Sequence, residues 1–412
     1  MPVLMETLSN GLVLLGEEIP GVRSVAFALS LPAGAATDPD KREGVSAVMD
    51  GMLYRGAGAR DNRTLSDALD ALGIQRGGGV DLEHLTLRGT LLAEDLDAAL
   101  ELYRDIVRAP RFPEDELAAE KDLAFQAIRG IEDRPAEKMA LILRRMYYGP
   151  WYGRSTYGTP EGIAALTAAE LREDHARRFR PRGTVLAVAG RFDRDALRRR
   201  VEELFGDWAG EAPSPPEPPH HGLPGYRHVV KETAQVHIGA VTRALPADHP
   251  DYYDYLMAVR VLSGGMAARL FTEVREKRGL VYAVSAGLRV MRGLGVIQAY
   301  AGTTTERAWE TLKVLLEEIT RLADGVSAEE MERARAGILS ALVMQGESSS
   351  ARAAALVSDY RLLGRIRTLD EIRAAIMPLT PDTVGAALAR NPLGKFFVVT
   401  LGSKPLKLPD KF

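Results

Sequence analysis

Cysteine is missing from all 412 residues of the chain. Its absence excludes disulfide staples and every metal site built on thiolate, so the core must be held by burial alone. Histidine is scarce too, with seven in all, and no two have the i, i+4 spacing of a helical zinc motif. The adjacent pair His220-His221 lies among prolines and reads as linker, not as ligands. No apolar run approaches the ~18 residues that a membrane helix needs. The first residues, Met1 to Glu6, have no basic stretch followed by an apolar core, so no secretory leader is expected and the chain reads as a cytoplasmic protein of bacterial type. Neither sign of charge dominates: the net charge is −3 and acidic and basic residues are interspersed, which gives no surface for nucleic acid. What is present, 46% hydrophobic and 26% charged residues, describes a globular chain long enough for two or three domains.

The first half opens with a hairpin in which Leu4–Leu8 and Leu12–Glu17 flank Ser9-Asn10-Gly11, since Asn-Gly supplies the positive φ of a tight turn. Val25, Phe27, Leu29 and Leu31 alternate as a half-buried strand. A helix follows, then a short helix capped by Thr64 and ended by Gly73. Gly77-Gly78-Gly79 precedes a strand from about Leu82 to Leu92. Helices over 94–107, from Glu114 and on to about Arg178, a strand over 184–189 and a helix over 193–205 complete this half. Residues 211–224, EAPSPPEPPHHGLP, are too rich in proline for helix or inner strand and read as an extended linker. The second half repeats the outline, with strands over 235–242, 280–288 and 295–301, and helices over 252–262 and 266–277 and from near Thr305 and Ser327. Phe112-Pro113-Glu114-Asp115-Glu116-Leu117 and Val326-Ser327-Ala328-Glu329-Glu330-Met331 open corresponding helices. The expected fold is α+β: two homologous domains, 1–208 and 227–412, joined by a Pro-rich linker over 209–226. Each is a mostly antiparallel sheet with helices packed on one face.

The stretch from Gly44 to Gly56 carries Val45, Val48, Met49, Met52 and Leu53 at helical spacing. It resembles the signature helix of the inverzincin metallopeptidases (pitrilysin, insulysin, mitochondrial processing peptidase), in which a Gly-rich lead precedes H-x-x-E-H and a Met-x-aromatic-basic-Gly exit. The exit is present as Met52-Leu53-Tyr54-Arg55-Gly56. The resemblance places the two histidines at Ala47 and Gly51, the glutamate at Asp50, and the third ligand at Ala127, seven residues after Glu120. Neither a methyl group nor a bare Cα can donate a lone pair to zinc, so no metal is expected on this chain. Asp50 alone would hold one weakly, and reads as a solvated or capping carboxylate. Gly77, Gly78 and Gly79 stand where the family presents an edge strand to the substrate backbone, and glycine there implies loose pairing.

In the second half, Arg275-Glu276-Lys277-Arg278-Gly279-Leu280-Val281-Tyr282 is similar to the family's R-E-x-x-G-L-x-Y motif. The resemblance implies that Arg275 holds substrate by forked hydrogen bonds and that Tyr282 donates to the oxyanion of the tetrahedral intermediate, across a closed chamber from a zinc site. The function it implies is that of the zinc-free subunit of a heterodimeric zinc metallopeptidase that degrades or processes peptides. A homologous H-x-x-E-H chain would bring zinc and the general base, and unfolded peptides would be the substrate. Such a chain would be inactive alone, and a homodimer in isolation is compatible with it. The alternative is a purely structural or peptide-binding homologue with no part in hydrolysis. An autonomous hydrolase has no support: there is no G-x-S-x-G and no catalytic cysteine.

Overall fold

The computed structural model describes residues 3–214, 216–217 and 222–406; His220-His221 and the centre of the proline-rich stretch lie outside them. Two units form, each drawn from separate parts of the chain. The first comprises 1–130, 154–217 and 345–360, and the second 131–153, 218–344 and 361–412.

The sheet of the first unit contains β1 (Leu4–Thr7), β2 (Val13–Glu18), β3 (Ser24–Leu31), β6 (Gln75–Val80), β7 (Leu85–Leu92) and β8 (Val185–Gly190), with a separate short ribbon of β4 (Gly56–Ala57) and β5 (Arg60–Asp61). Its order is β1-β2-β8-β3-β7-β6, and only β2 and β8 pair in parallel. Val25, Phe27, Leu29 and Leu31 point into a core shared with α1 (Val45–Met52), α2 (Asn62–Ala71), α3 (Leu96–Arg108), α7 (Ala168–Arg178) and α8 (Arg194–Phe205). Phe27 meets Tyr103 of α3 edge to face with centroids 4.6 Å apart, worth ~1 kcal/mol beyond the area it buries.

Here two expectations change. Strand β3 is not half-buried: Ala26, Ala28 and Ser30 are buried as completely as the residues between them. Their face receives α12 (Ser349–Leu363), where Ser349 sits beside Ser24 and Gly190 and the buried Arg352 pairs with Glu17. The cap of α2 is Asp61, whose carboxylate accepts from the Thr64 amide at 2.9 Å.

The second unit's sheet runs β11-β12-β10-β13-β9, from β9 (Gly225–Val230), β10 (Val236–Ala244), β11 (Val281–Met291), β12 (Leu294–Thr303) and β13 (Phe396–Gly402). Only β9 and β13 are parallel. Strand alternation divides its side chains cleanly. Ile238, Ala240, Ile297, Ala299 and Val398 face α9 (Tyr252–Ser263), α10 (Ala308–Thr320) and α11 (Ala328–Gly346). Val241, Val296, Phe397 and Val399 face Met139, Leu143 and Tyr147 of α5 (Pro135–Tyr152), a helix that precedes the linker in sequence. The architecture is mixed α+β with mostly antiparallel sheets, and the structure adds one helix to the second face of each sheet. Among the described residues no helix is long and apolar enough to cross a membrane.

Candidate functional site

Helix α1 is anchored at its start by buried ions. Asp38 accepts from the Gly44 and Ser46 amides at 2.8 and 3.2 Å and from the Ser46 hydroxyl, satisfying donors that the first turn leaves free. Arg178, fully buried, donates to Ser46 Oγ at 2.9 Å and to Asp174 at 2.8 Å. Burial pushes the Asp38 carboxyl up, against the opposing pull of Arg178. Val45, Val48, Met49 and Met52 are buried beneath the helix. Ala47, Asp50, Gly51 and Tyr54, spaced one helical turn apart, form its partly open face.

Glu120, on α4 (Glu114–Gly130), reaches that face. A Cβ built on Gly51 would stand 2.6 Å from the Glu120 carboxyl carbon, so this carboxylate lies in the room of the missing residue-51 side chain. Arg55, from the motif's exit, clasps it through Nε at 2.6 Å and also through Nη2; a third nitrogen is 3.7 Å from Glu116. Asn62 donates to Glu116 at 2.6 Å. A charge-assisted clasp of this kind on a carboxylate only 8% exposed contributes ~2 kcal/mol.

Asp50 is partly exposed on this open face and does not cap the helix. Capping belongs to Asp38, and Asp50 has no hydrogen bond or counter-ion among the described residues. Burial, then the like charge of Glu120, pushes its carboxyl up to about 6. Burial also raises the neighbouring Tyr54 phenol, so it faces Asp50 as a neutral group.

The three glycines belong to a strand rather than preceding one. β6 pairs with β7 from Gln75 to Val80 and forms the free edge of its sheet. Gly78 and Gly79 have φ of 128° and 131°, a region closed to most L-residues, and a Cβ on Gly78 would run into the Thr86 carbonyl, 3.0 Å from its carbon. Glycine is therefore required by the local backbone. With Asp50, Gly51, Tyr54, Arg55, Asn62, Ser66, Arg76 and Glu120, these glycines line a cleft of about 500 Å³. Ala47 and Ala127 do not line it. Sequence reasoning did not single out Arg55, Asn62 or Arg76 as partners. Arg55 was legible as the basic residue of the exit motif; the others carried no signal.

In the second unit, Arg275 lies in the last turn of a helical segment, Leu270–Glu276, that is shorter than the expected helix and is π-helical. The Lys277 amide reaches the Thr272 carbonyl at 2.9 Å and the Gly279 amide the Arg275 carbonyl at 3.1 Å. Such wide turns are rare and recur at functional sites. Gly279, at φ 60°, reverses the chain into β11, which carries Tyr282 on the outer edge of the sheet. Arg275 is exposed with its guanidinium over the Phe271 ring, 4.9 Å from the centroid. Tyr282 is 69% exposed. Neither makes a hydrogen bond or ion pair within the described residues.

The first unit does not fit zinc. Ala47, Gly51 and Ala127 offer no donor, and the Glu120 carboxylate that fills the room beside Gly51 is already clasped by Arg55. Among the described residues no group of three or more histidines and carboxylates could hold a metal ion.

Known proteins resemble this chain over nearly its whole length. Residues 13–159 match the family described as Insulinase (Peptidase family M16), and residues 165–338 match the Peptidase M16 inactive domain. A Bacillus subtilis protein named uncharacterized zinc protease YmxG is 27% identical over 408 residues, covering 98% of this chain and 99% of its own. The crystal structure of a peptidase M16 inactive domain from Pseudomonas fluorescens superposes with a TM-score of 0.87 at 23% identity, covering 99% of this chain and 100% of that one. A Helicobacter pylori protease also has a TM-score of 0.87, at 15% identity, with 97% and 99% covered.

Proposed function

Because the chain belongs to peptidase family M16, we propose that it is the metal-free member of a two-chain zinc peptidase, active only with a homologous subunit that carries H-x-x-E-H. The observation that carries this reading is a division of labour within the chain. The positions that would hold metal have lost every donor, while Arg275 and Tyr282 stand exposed with no hydrogen bond or ion pair among the described residues. An arginine kept for stability would be paired, as Arg269 nearby is with Glu330 at 2.6 Å. A tyrosine kept for packing would be buried, as Tyr255 is.

In this role the partner brings the metal, and this chain supplies binding and orientation. The guanidinium, planar and stacked on Phe271, presents a fork suited to a peptide carbonyl or carboxylate. The phenol, on a strand edge, is a hydrogen-bond donor for charge that develops on the scissile carbonyl oxygen. The two chains would close on unfolded peptides, with zinc on the partner subunit only and in the cytoplasm.

The test is complementation. This chain and a candidate H-x-x-E-H homologue are each assayed alone and mixed, on an unstructured fluorogenic peptide. Activity is expected only in the mixture, and Tyr282→Phe is expected to lower kcat there by ~10²-fold, as loss of an oxyanion donor does. Arg275→Ala is expected to raise KM. A mixture that retains full activity with both substitutions rules this role out.

A further inference from the structure

We propose that the cleft beside α1 is a recognition pocket for a basic side chain, arginine or lysine, of an extended peptide laid against β6. The inference rests on the reading that this chain meets peptides, and goes beyond it by assigning the emptied metal region a ligand of its own.

The charge balance of the cleft decides the sign of the ligand. Two cations line it, and both are engaged: Arg55 by Glu120 and Glu116, and Arg76 by Asp70 at 3.3 Å, with its guanidinium over the Tyr54 ring. Asp50 faces the same space from α1 without a counter-ion, beside Glu120 from α4 and the neutral phenol of Tyr54. A half-buried carboxylate next to another carboxylate is destabilised as an anion, and a desolvated cation removes that penalty. An anionic or neutral side chain would leave it standing.

Space and backbone geometry decide the form of the ligand. About 500 Å³ is open between α1, α4 and β6, ample for one long side chain. The rim strand β6 has no partner on its outer side within its sheet, and its central three residues carry no side chains. A Cβ at Gly77 or Gly79 would meet nothing within 4 Å, so the sheet faces beside this edge are open to a bound peptide's side chains. A peptide added there spends its backbone hydrogen bonds on β6 and projects alternate side chains to one face of the sheet.

The full-length chain, without any partner, is titrated with two flexible ten-residue Gly/Ser peptides. They differ only in a central arginine or its neutral isostere citrulline, and binding is read by fluorescence anisotropy. The arginine peptide is expected to bind ~10-fold more tightly, the value of one charge-assisted contact, and added salt is expected to shrink that preference. Asp50→Asn, which keeps shape and removes the charge, is expected to erase the preference. Thermal unfolding of the variant checks that the fold is intact. Equal binding of the two peptides, a preference that survives Asp50→Asn, or no binding of either peptide overturns the proposal. A cation pocket that fails this titration says nothing against the complementation assay, and the reverse also holds.

Discussion

At position 51 a hydrogen atom stands where the family resemblance places an imidazole, and the Glu120 carboxylate fills the space so released. Two opposing effects should then meet in Gly51→Ala. Helix propensity favours alanine by ~1 kcal/mol, while the new methyl must push Glu120 out of the Arg55 clasp. A net loss of ~1 kcal/mol is expected in the wild-type background, the clasp outweighing the propensity, and a gain of ~1 kcal/mol when Glu120→Ala is already present; chemical denaturation of the four chains of the cycle measures it. Asp50 makes a second prediction at this scale. Burial and the nearby Glu120 push its folded carboxyl up to about 6, above the ordinary aspartate range, so the folded state holds the proton more tightly than the unfolded one. Stability is therefore lost as pH rises from about 4 to about 6. Asp50→Asn should grow more stable relative to wild type across that window, by up to ~3 kcal/mol near neutrality. Urea midpoints between pH 4 and 7.5 test the sign.

Single elements carry their own constraints. The glycine triplet, expected to precede a strand, lies inside one: β6 pairs with β7 over its whole length. Only Gly78 and Gly79 have the backbone that demands glycine, and Gly77 does not. Gly78→Ala should destabilise by ~2 kcal/mol or more, from forbidden φ and the Thr86 carbonyl together, while Gly77→Ala should be tolerated. Comparing their unfolding midpoints separates a strand that needs glycine from one that merely contains it. The π-helical turn before Tyr282 was likewise invisible in sequence, because a one-residue widening leaves apolar spacing almost unchanged.

Over the whole molecule, each unit takes a helix from the other half of the sequence. Residues 131–153 pack on the second sheet and 345–360 on the first. In the first unit this depends on Arg352, which is 2% exposed and held by Glu17 at 3.0 Å. Removing one partner of so buried a pair leaves the other uncompensated, so Arg352→Ala should cost ~3 kcal/mol, read by equilibrium unfolding. A fragment ending at Glu217 lacks α12 and should bind a hydrophobic dye that the full chain excludes.

The sequence by itself determined the α+β class, most of the helices and strands, and the loss of donors at Ala47, Gly51 and Ala127. Those follow from local periodicity and side-chain chemistry, which need no knowledge of distant contacts. Its alternation at Val25, Phe27, Leu29 and Leu31 identified one buried face of β3, but the small residues between them did not announce a second covering helix. Only the tertiary structure decided that Glu120 fills the space beside Gly51, that Asp50 is left without a counter-ion, and that α5 and α12 cross to the opposite sheets. Each of these is a matter of which groups far apart in the chain share one desolvated space, and spacing along the chain does not encode that.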